Sequence, residues 1–300
     1  MDELLSYGLL TFATLALPSL GLCLAIKVTK YFNLTYGDII TAGAFLTLLC
    51  NLTFGFPMII SLIIGMIFTA ALGVFLHKTI FKPLMDLKVN PLILLVVSLG
   101  AGFVVRNLIL IGWGPQPFQF SIPLARAKHI GPLFLTTNQI FIILTCILVA
   151  VGVFLMLRYT QLGRLMRATS DNPELSEIRG ISIERVYVYT WIIACALAAM
   201  GGVFMGILGT IKSGMGGGVL VTIFACLIVG GIDNPYGAIF GALIIAFAME
   251  ATAIWISPPY KVMAAYLLMI IILLVKPSGL LGGEKIQWKY FLGFLRSRQS

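Results

Sequence analysis

The sequence predicts an all-α, polytopic integral membrane protein of about nine transmembrane helices, with one short helix in a cytoplasmic loop. Three observations lead there. Of its 300 residues, 60% are hydrophobic and only 10% charged, and the mean hydropathy of +1.05 is more than one water-soluble core can hide. The apolar residues fall in repeated blocks near the ~20 residues that a spanning helix needs. The cations are spread between those blocks instead of forming a basic stripe, so the net charge of +9 reads as a topology signal and not as a nucleic-acid surface.

Apolar runs bounded by charges place spans near 5–26, 37–52, 56–76, 92–112, 139–157, 186–210, 218–232, 238–256 and 262–276. The first run follows Asp2 and Glu3, with no basic leader and no small-residue cleavage site, so it reads as a retained helix. One set of loops carries Lys27, Lys30, Lys78, Lys82, Lys88, Arg158, Arg164, Arg167, Arg179, Arg185 and Lys276, together with the tail cations Lys285, Lys289, Arg296 and Arg298. The opposite set holds only Arg126, Lys128, Lys212 and Lys261. Positive-inside bias makes the first set cytoplasmic, the N-terminus external and the C-terminus internal. That requires an odd number of crossings, so 218–232 is expected to cross fully. Residues 1–283 form the transmembrane unit and 284–300 a basic cytoplasmic tail, with Trp288, Tyr290 and Phe291 at the interface.

Two loops are long enough to hold structure of their own. The outer one, 112–138, contains Pro115, Pro117, Pro123 and Pro132, which disfavour a helix and suggest a shaped external lip. In the inner loop, 158–185, Asp171 reads as a helix cap, with Asn172, Pro173 in the first turn and Glu174 three residues on. Gly180 supplies the stop. The helix between, 172–179, places Leu175 and Ile178 on one face and is too short to be stable without a partner surface.

Several chemistries have no residues to carry them. The glycine run 214–218 is followed by Val219-Leu220 and not Lys-Ser/Thr, so there is no P-loop. His77 and His129 fall on opposite sides of the membrane, and Cys23, Cys50, Cys146, Cys195 and Cys226 lie inside apolar blocks without metal-ligand spacing. There is no nucleophile elbow. No enzyme and no bound cofactor are expected. Small residues at helix-packing spacing, such as Gly202 with Gly206 and Gly237 with Gly241, fit bundle packing or contact with a second chain.

Charges within spans are few and therefore informative. Arg106 and Glu250 lie at matching depth with opposite sign, which suits a gate or pathway pair, a structural ion pair, or two separate snorkelling residues. Asp38 either caps the second span against its dipole or lines an exit.

Five fragments, in order, resemble a known family. They are Asn33-Leu34-Thr35-Tyr36-Gly37-Asp38, followed by Thr41 to Phe45; Thr160 to Arg164, with Arg167-Ala168, Asn172 and Arg179-Gly180-Ile181; Ala198 to Gly202; Leu227 to Gly231, with Asn234 to Ala238 and Gly241-Ala242; and Pro277 to Gly282. Together they resemble the LivH-type branched-chain amino acid ABC permeases over about residues 5–283. Departures are Ile232-Asp233-Asn234 after the Gly-Gly pair, and Tyr36 where His is frequent.

The resemblance implies a permease subunit in a plasma membrane of the bacterial inner-membrane type. It would pair with a second permease chain, two ATPase subunits that bind the ATP, and an external solute-binding protein. By the same resemblance 172–181, ending at Ile181, is the coupling helix, and Asn33, Tyr36, Gly37, Asp38, Arg106 and Glu250 are candidates for the solute path. Urea or short amides are the alternative cargo of the same machine. A self-contained channel or secondary transporter is the rival from another class, and would show paired intramembrane carboxylates or matched broken helices.

Overall fold

A computed structural model describes residues 2–122, 127–130 and 133–282. The basic tail 284–300, together with Pro123, Arg126, Pro132 and the side chains of Lys128 and His129, lies outside what is described. The chain is helical almost throughout. Its helices are α1 (Asp2–Thr29), α2 (Thr35–Leu48), α3 (Met58–Leu76), α4 (Lys82–Asp86), α5 (Pro91–Trp113), α6 (Thr137–Tyr159), α7 (Gln161–Asp171), α8 (Pro173–Ile178), α9 (Ile183–Leu208), α10 (Met215–Gly230), α11 (Pro235–Trp255) and α12 (Lys261–Val275). The external loop holds a small antiparallel hairpin, β1 (Ala127–Ile130) with β2 (Leu133–Thr136).

Local chemistry accounts for most helix starts. Asn90 and Asn234 each cap a helix that opens on a proline, accepting from Leu92 N at 3.0 Å and Tyr236 N at 3.1 Å. Thr136 and Gln139 form a reciprocal capping box at the start of α6. Turns of π-helix continue α2 through Leu49–Thr53 and α3 through His77–Phe81. With these extensions, eight helices among the described residues are long and apolar enough to cross a membrane.

The ninth crossing differs from expectation. α10 has 16 residues, about 24 Å at the helical rise, short of the ~30 Å hydrocarbon layer. Its first turn lies beside the first turn of α2, where Gly216 meets the backbone of Gly37, and the segment 209–214 leads into it. That segment is tied to the external loop by an antiparallel bridge between Phe118 and Ile211. Irregular backbone there is tolerated because it is held by protein. Among the described residues, then, eight helices have the length of a span and α10 is a ninth, shorter apolar helix.

The helix ends fall into two groups. At one end Lys30 reaches Ser170, Tyr31 packs on Phe81, Lys82 pairs with Glu184 at 2.7 Å, and the turn after α12 binds the end of α10 through Leu280 N to Val229 O, 2.8 Å. This end gathers the cation-rich loops. At the other, Ser121 N donates to Asn51 Oδ1 at 2.9 Å and Lys261 meets Glu250.

The core centres on α2. It is wrapped by α3, α5, α9 and α10, while α1 packs between α9 and α11, and α6 lies outside on α1. Tyr36, fully buried, fixes the centre: its hydroxyl donates toward Pro18 O at 3.0 Å and Ala194 O at 2.9 Å, linking α2 to α1 and α9. α2 and α10 meet backbone to backbone. A Cβ on Gly37 would strike the backbone of Gly216, and one on Gly216 the carbonyl of Gly37, so both positions require glycine. Thr41 Oγ1 accepts from Gly216 N at 3.0 Å across the same contact.

Candidate functional site: a polar cleft beside α2 and a capped turn at the cation-rich end

α5 and α10 both pack on α2 while touching each other little. This leaves a cleft between them over the first turn of α2, where Asp38 is the partly open residue. Asp38, in the first turn of α2, sits half-buried with its carboxylate over Gly102 of α5. Arg106, one helical turn farther along α5, is half-buried with its guanidinium against Gly214, the residue that precedes α10. A side chain on either glycine would occupy the place of the charge. Around Gly217 and Gly218, on the opposite wall, the space is open.

Asp38 thus sits one helical turn from Arg106 along α5, yet neither forms an ion pair or hydrogen bond among the described residues. Arg106 lies 15 positions beyond the first residue of α5, Pro91, about 22 Å along the axis. Val221 and Phe103 are exposed on the cleft-bearing helices, and Phe32 packs on Phe224 at 5.9 Å between ring centroids. Ionised side chains at such depth belong beside water or protein, not lipid.

The remaining path candidates lie elsewhere. Glu250 does not face Arg106: it is buried on α11, paired with Lys261 at the start of α12 and accepting from Thr11 on α1. Matching depth in the sequence therefore did not mean proximity. The partner is supplied by the short α11–α12 hairpin, which brings Lys261 back over Glu250. Tyr36 belongs to the core, and Asn33, also buried, caps α2 through its Oδ1 to Thr35 N at 2.9 Å. Gly37 serves the α2–α10 contact. Of the expected set, Asp38 and Arg106 come together, and Gly102 and Gly214 join them. The glycine run had been read only as lacking a phosphate loop. Its position at a helix start inside a span was the available signal.

In the loop at the cation-rich end the structure has two helices where one was expected. Thr160 Oγ1 accepts from Gly163 N at 3.2 Å and starts α7, whose Gly163, Met166, Thr169 and Ser170 face inward while Arg164 and Arg167 stay exposed. This polar and apolar alternation at helical spacing went unread. Its consequence is a correction: Asp171 is the last residue of α7, and the cap of α8 is Asn172, extended at φ −152°, with Oδ1 accepting from Leu175 N at 3.0 Å. Glu174 and Arg179 are exposed, Gly180 takes φ +80° as the stop, and Ile181 N bonds Ser176 O at 3.0 Å. Leu175 and Ile178 are 45% and 83% exposed, so an apolar pair sits on a capped turn that none of the described residues covers.

Comparison with known proteins places this architecture. A family described as "Branched-chain amino acid transport system / permease component" matches residues 4–273. The high-affinity branched-chain amino acid transport system permease protein LivH of Escherichia coli (strain K12) is 24% identical, with 93% of this chain and 95% of that protein covered. A probable branched-chain amino acid transport permease protein LivH of Methanocaldococcus jannaschii is 26% identical, covering 96% and 94%. The BraD permease protein of Pseudomonas aeruginosa is 25% identical, covering 93% and 95%. Among solved structures, a chain of PsaBC from Streptococcus pneumoniae in complex with Fab shares the fold at TM-score 0.52 and 13% identity, covering 92% of this chain and 93% of that one.

Proposed function

The chain belongs to the branched-chain amino acid transport system permease family, and on that premise we propose that it is the membrane-spanning subunit of an ATP-driven importer for branched-chain or similar small amino acids. The relatives' names supply the solute class. In this reading the cation-rich end is cytoplasmic, the N-terminus external and the C-terminus internal, in a plasma membrane of the bacterial inner-membrane type. An external binding protein delivers solute to the loop 112–138. A second permease chain covers the cleft beside α2, because Asp38 and Arg106 are too costly to leave against lipid. Solute passes along that cleft.

ATP is bound and hydrolysed by two partner ATPases, to which α8 transmits the motion. The observation that carries this reading is α8 itself: six residues, capped by Asn172, stopped by Gly180, and presenting Leu175 and Ile178 outward. A helix this short has little stability of its own, so the Asn172 cap and the Gly180 stop are what hold it formed, and a helix formed in advance loses less entropy on docking.

The test is co-purification of the ATPases with the permease, together with ATP turnover. Leu175→Glu, Ile178→Glu and Gly180→Val, the last straining the left-handed stop, are expected to leave the chain inserted in the membrane while abolishing both complex formation and uptake. Unchanged complex and turnover in these variants would remove the coupling assignment.

A further inference from the structure

Resting on the reading of the cleft as the solute path, we propose that Asp38 and Arg106 form a recognition site for the zwitterion of an α-amino acid. Arg106 takes the carboxylate and Asp38 takes the ammonium. The argument starts from an energetic oddity. Two opposite charges in membrane-spanning helices, one helical turn apart along α5, would ordinarily collapse into an ion pair, because a lone charge at that depth is costly. Here they do not pair. Each is seated against a glycine of a neighbouring element, Asp38 over Gly102 and Arg106 against Gly214. Each charge is thus seated on a glycine and not on the other charge.

A structural ion pair would have closed the gap, and a carboxylate serving only the dipole of α2 would need no guanidinium opposite it. A solute that carries both signs on one carbon completes both charges at once. The first turn of α10 lies beside Arg106 and adds its positive end to the carboxylate side. Farther along α10, Val221 is exposed and Phe224 packs on Phe32, an apolar surface on the same helix for an aliphatic side chain. An uncharged amide such as urea satisfies neither charge. The site therefore selects amino acids over amides within the permease, independently of the binding protein.

The experiment uses the assembled transporter in lipid nanodiscs, without the binding protein, and photo-leucine as the probe, a diazirine that keeps both charges of leucine. Cross-linked peptides are identified by mass spectrometry, and labelling is competed with L-leucine, L-leucinamide (no carboxylate), isocaproate (no ammonium) and urea. Uptake of labelled leucine by the complete system in vesicles is measured in parallel. The expected result is labelling on α2, α5 or α10 that L-leucine displaces at concentrations at least tenfold below those of the three analogues, since each loses one or both charge-assisted contacts. Arg106→Gln and Asp38→Asn are expected to lose the label, with Arg106→Lys and Asp38→Glu retaining part of it.

Competition within the unaltered chain needs no variant, so a misfolded mutant does not decide the outcome. Labelling in the cleft that leucinamide or urea displaces as well as leucine does would overturn the zwitterion site and leave the path reading intact. Leucine uptake without any label in the cleft would overturn the path reading, and this inference with it.

Discussion

Removing either partner of the Glu250–Lys261 pair should destabilise the protein unequally, and the sizes follow from their burial. The Glu250 side chain is 8% exposed and that of Lys261 31%, with the Thr11 hydroxyl also donating to the carboxylate. Lys261→Met leaves a buried carboxylate with one neutral donor, a loss at the lower edge of the ~3–5 kcal/mol typical for an orphaned buried charge. Glu250→Gln leaves an amide that still accepts from Thr11, while the ammonium, at the first turn of α12, can swing out to the interface. That change should cost only ~1 kcal/mol.

In the double variant no charge is stranded, so the loss should fall near that of Glu250→Gln alone, giving a coupling of ~3 kcal/mol, somewhat over a hundredfold in an equilibrium. The assay is the heat-denaturation midpoint of detergent-purified protein, read by size-exclusion chromatography for all four forms. Equal losses in the two single variants, or strictly additive losses in the double, would refute the pairing.

Three further outcomes are expected. Tyr36→Phe keeps the shape of the buried ring but leaves the Pro18 and Ala194 carbonyls without the hydroxyl that links α1, α2 and α9; it should lower stability by ~1 kcal/mol in the same assay, and no loss would show that those contacts are not made. Gly216→Val puts a branched side chain into the Gly37 carbonyl and should sharply reduce folded protein recovered from membranes, whereas Gly217→Ala, where the space is open, should be tolerated. A cysteine placed at Asp171 in an otherwise cysteine-free chain should react with a membrane-impermeant maleimide only after the membrane is opened; labelling in intact cells would reverse the proposed orientation.

Which features were legible in the sequence follows from the range over which each signal acts. Span positions and the Gly180 stop depend on neighbours within a turn or two, and they stand where the residues suggested. So does the clustering of cations at one end, because most loops there carry their own lysines or arginines, the short Ile232-Asp233-Asn234 link excepted. The cap of α8 shifted by one residue, since an amphipathic α7 claimed Asp171 first.

What only the tertiary structure decided is which distant residues meet. Arg106 and Glu250 share a depth in the sequence, but helix depth does not say which face of the bundle a helix occupies. The hairpin after α11 gave Glu250 a nearer cation in Lys261. Arg106 instead meets Asp38 and Gly214, residues 68 and 108 positions away, because α5 and α10 both lean on α2. The course of 209–214 into α10 likewise depends on the bridge from Phe118 to Ile211, a contact between two loops that no local pattern announces. Composition and period determined that this chain crosses a membrane and roughly where. Packing around α2 determined which of its rare intramembrane charges were neutralised within the chain and which two, Asp38 and Arg106, were left without an ion-pair partner among the described residues.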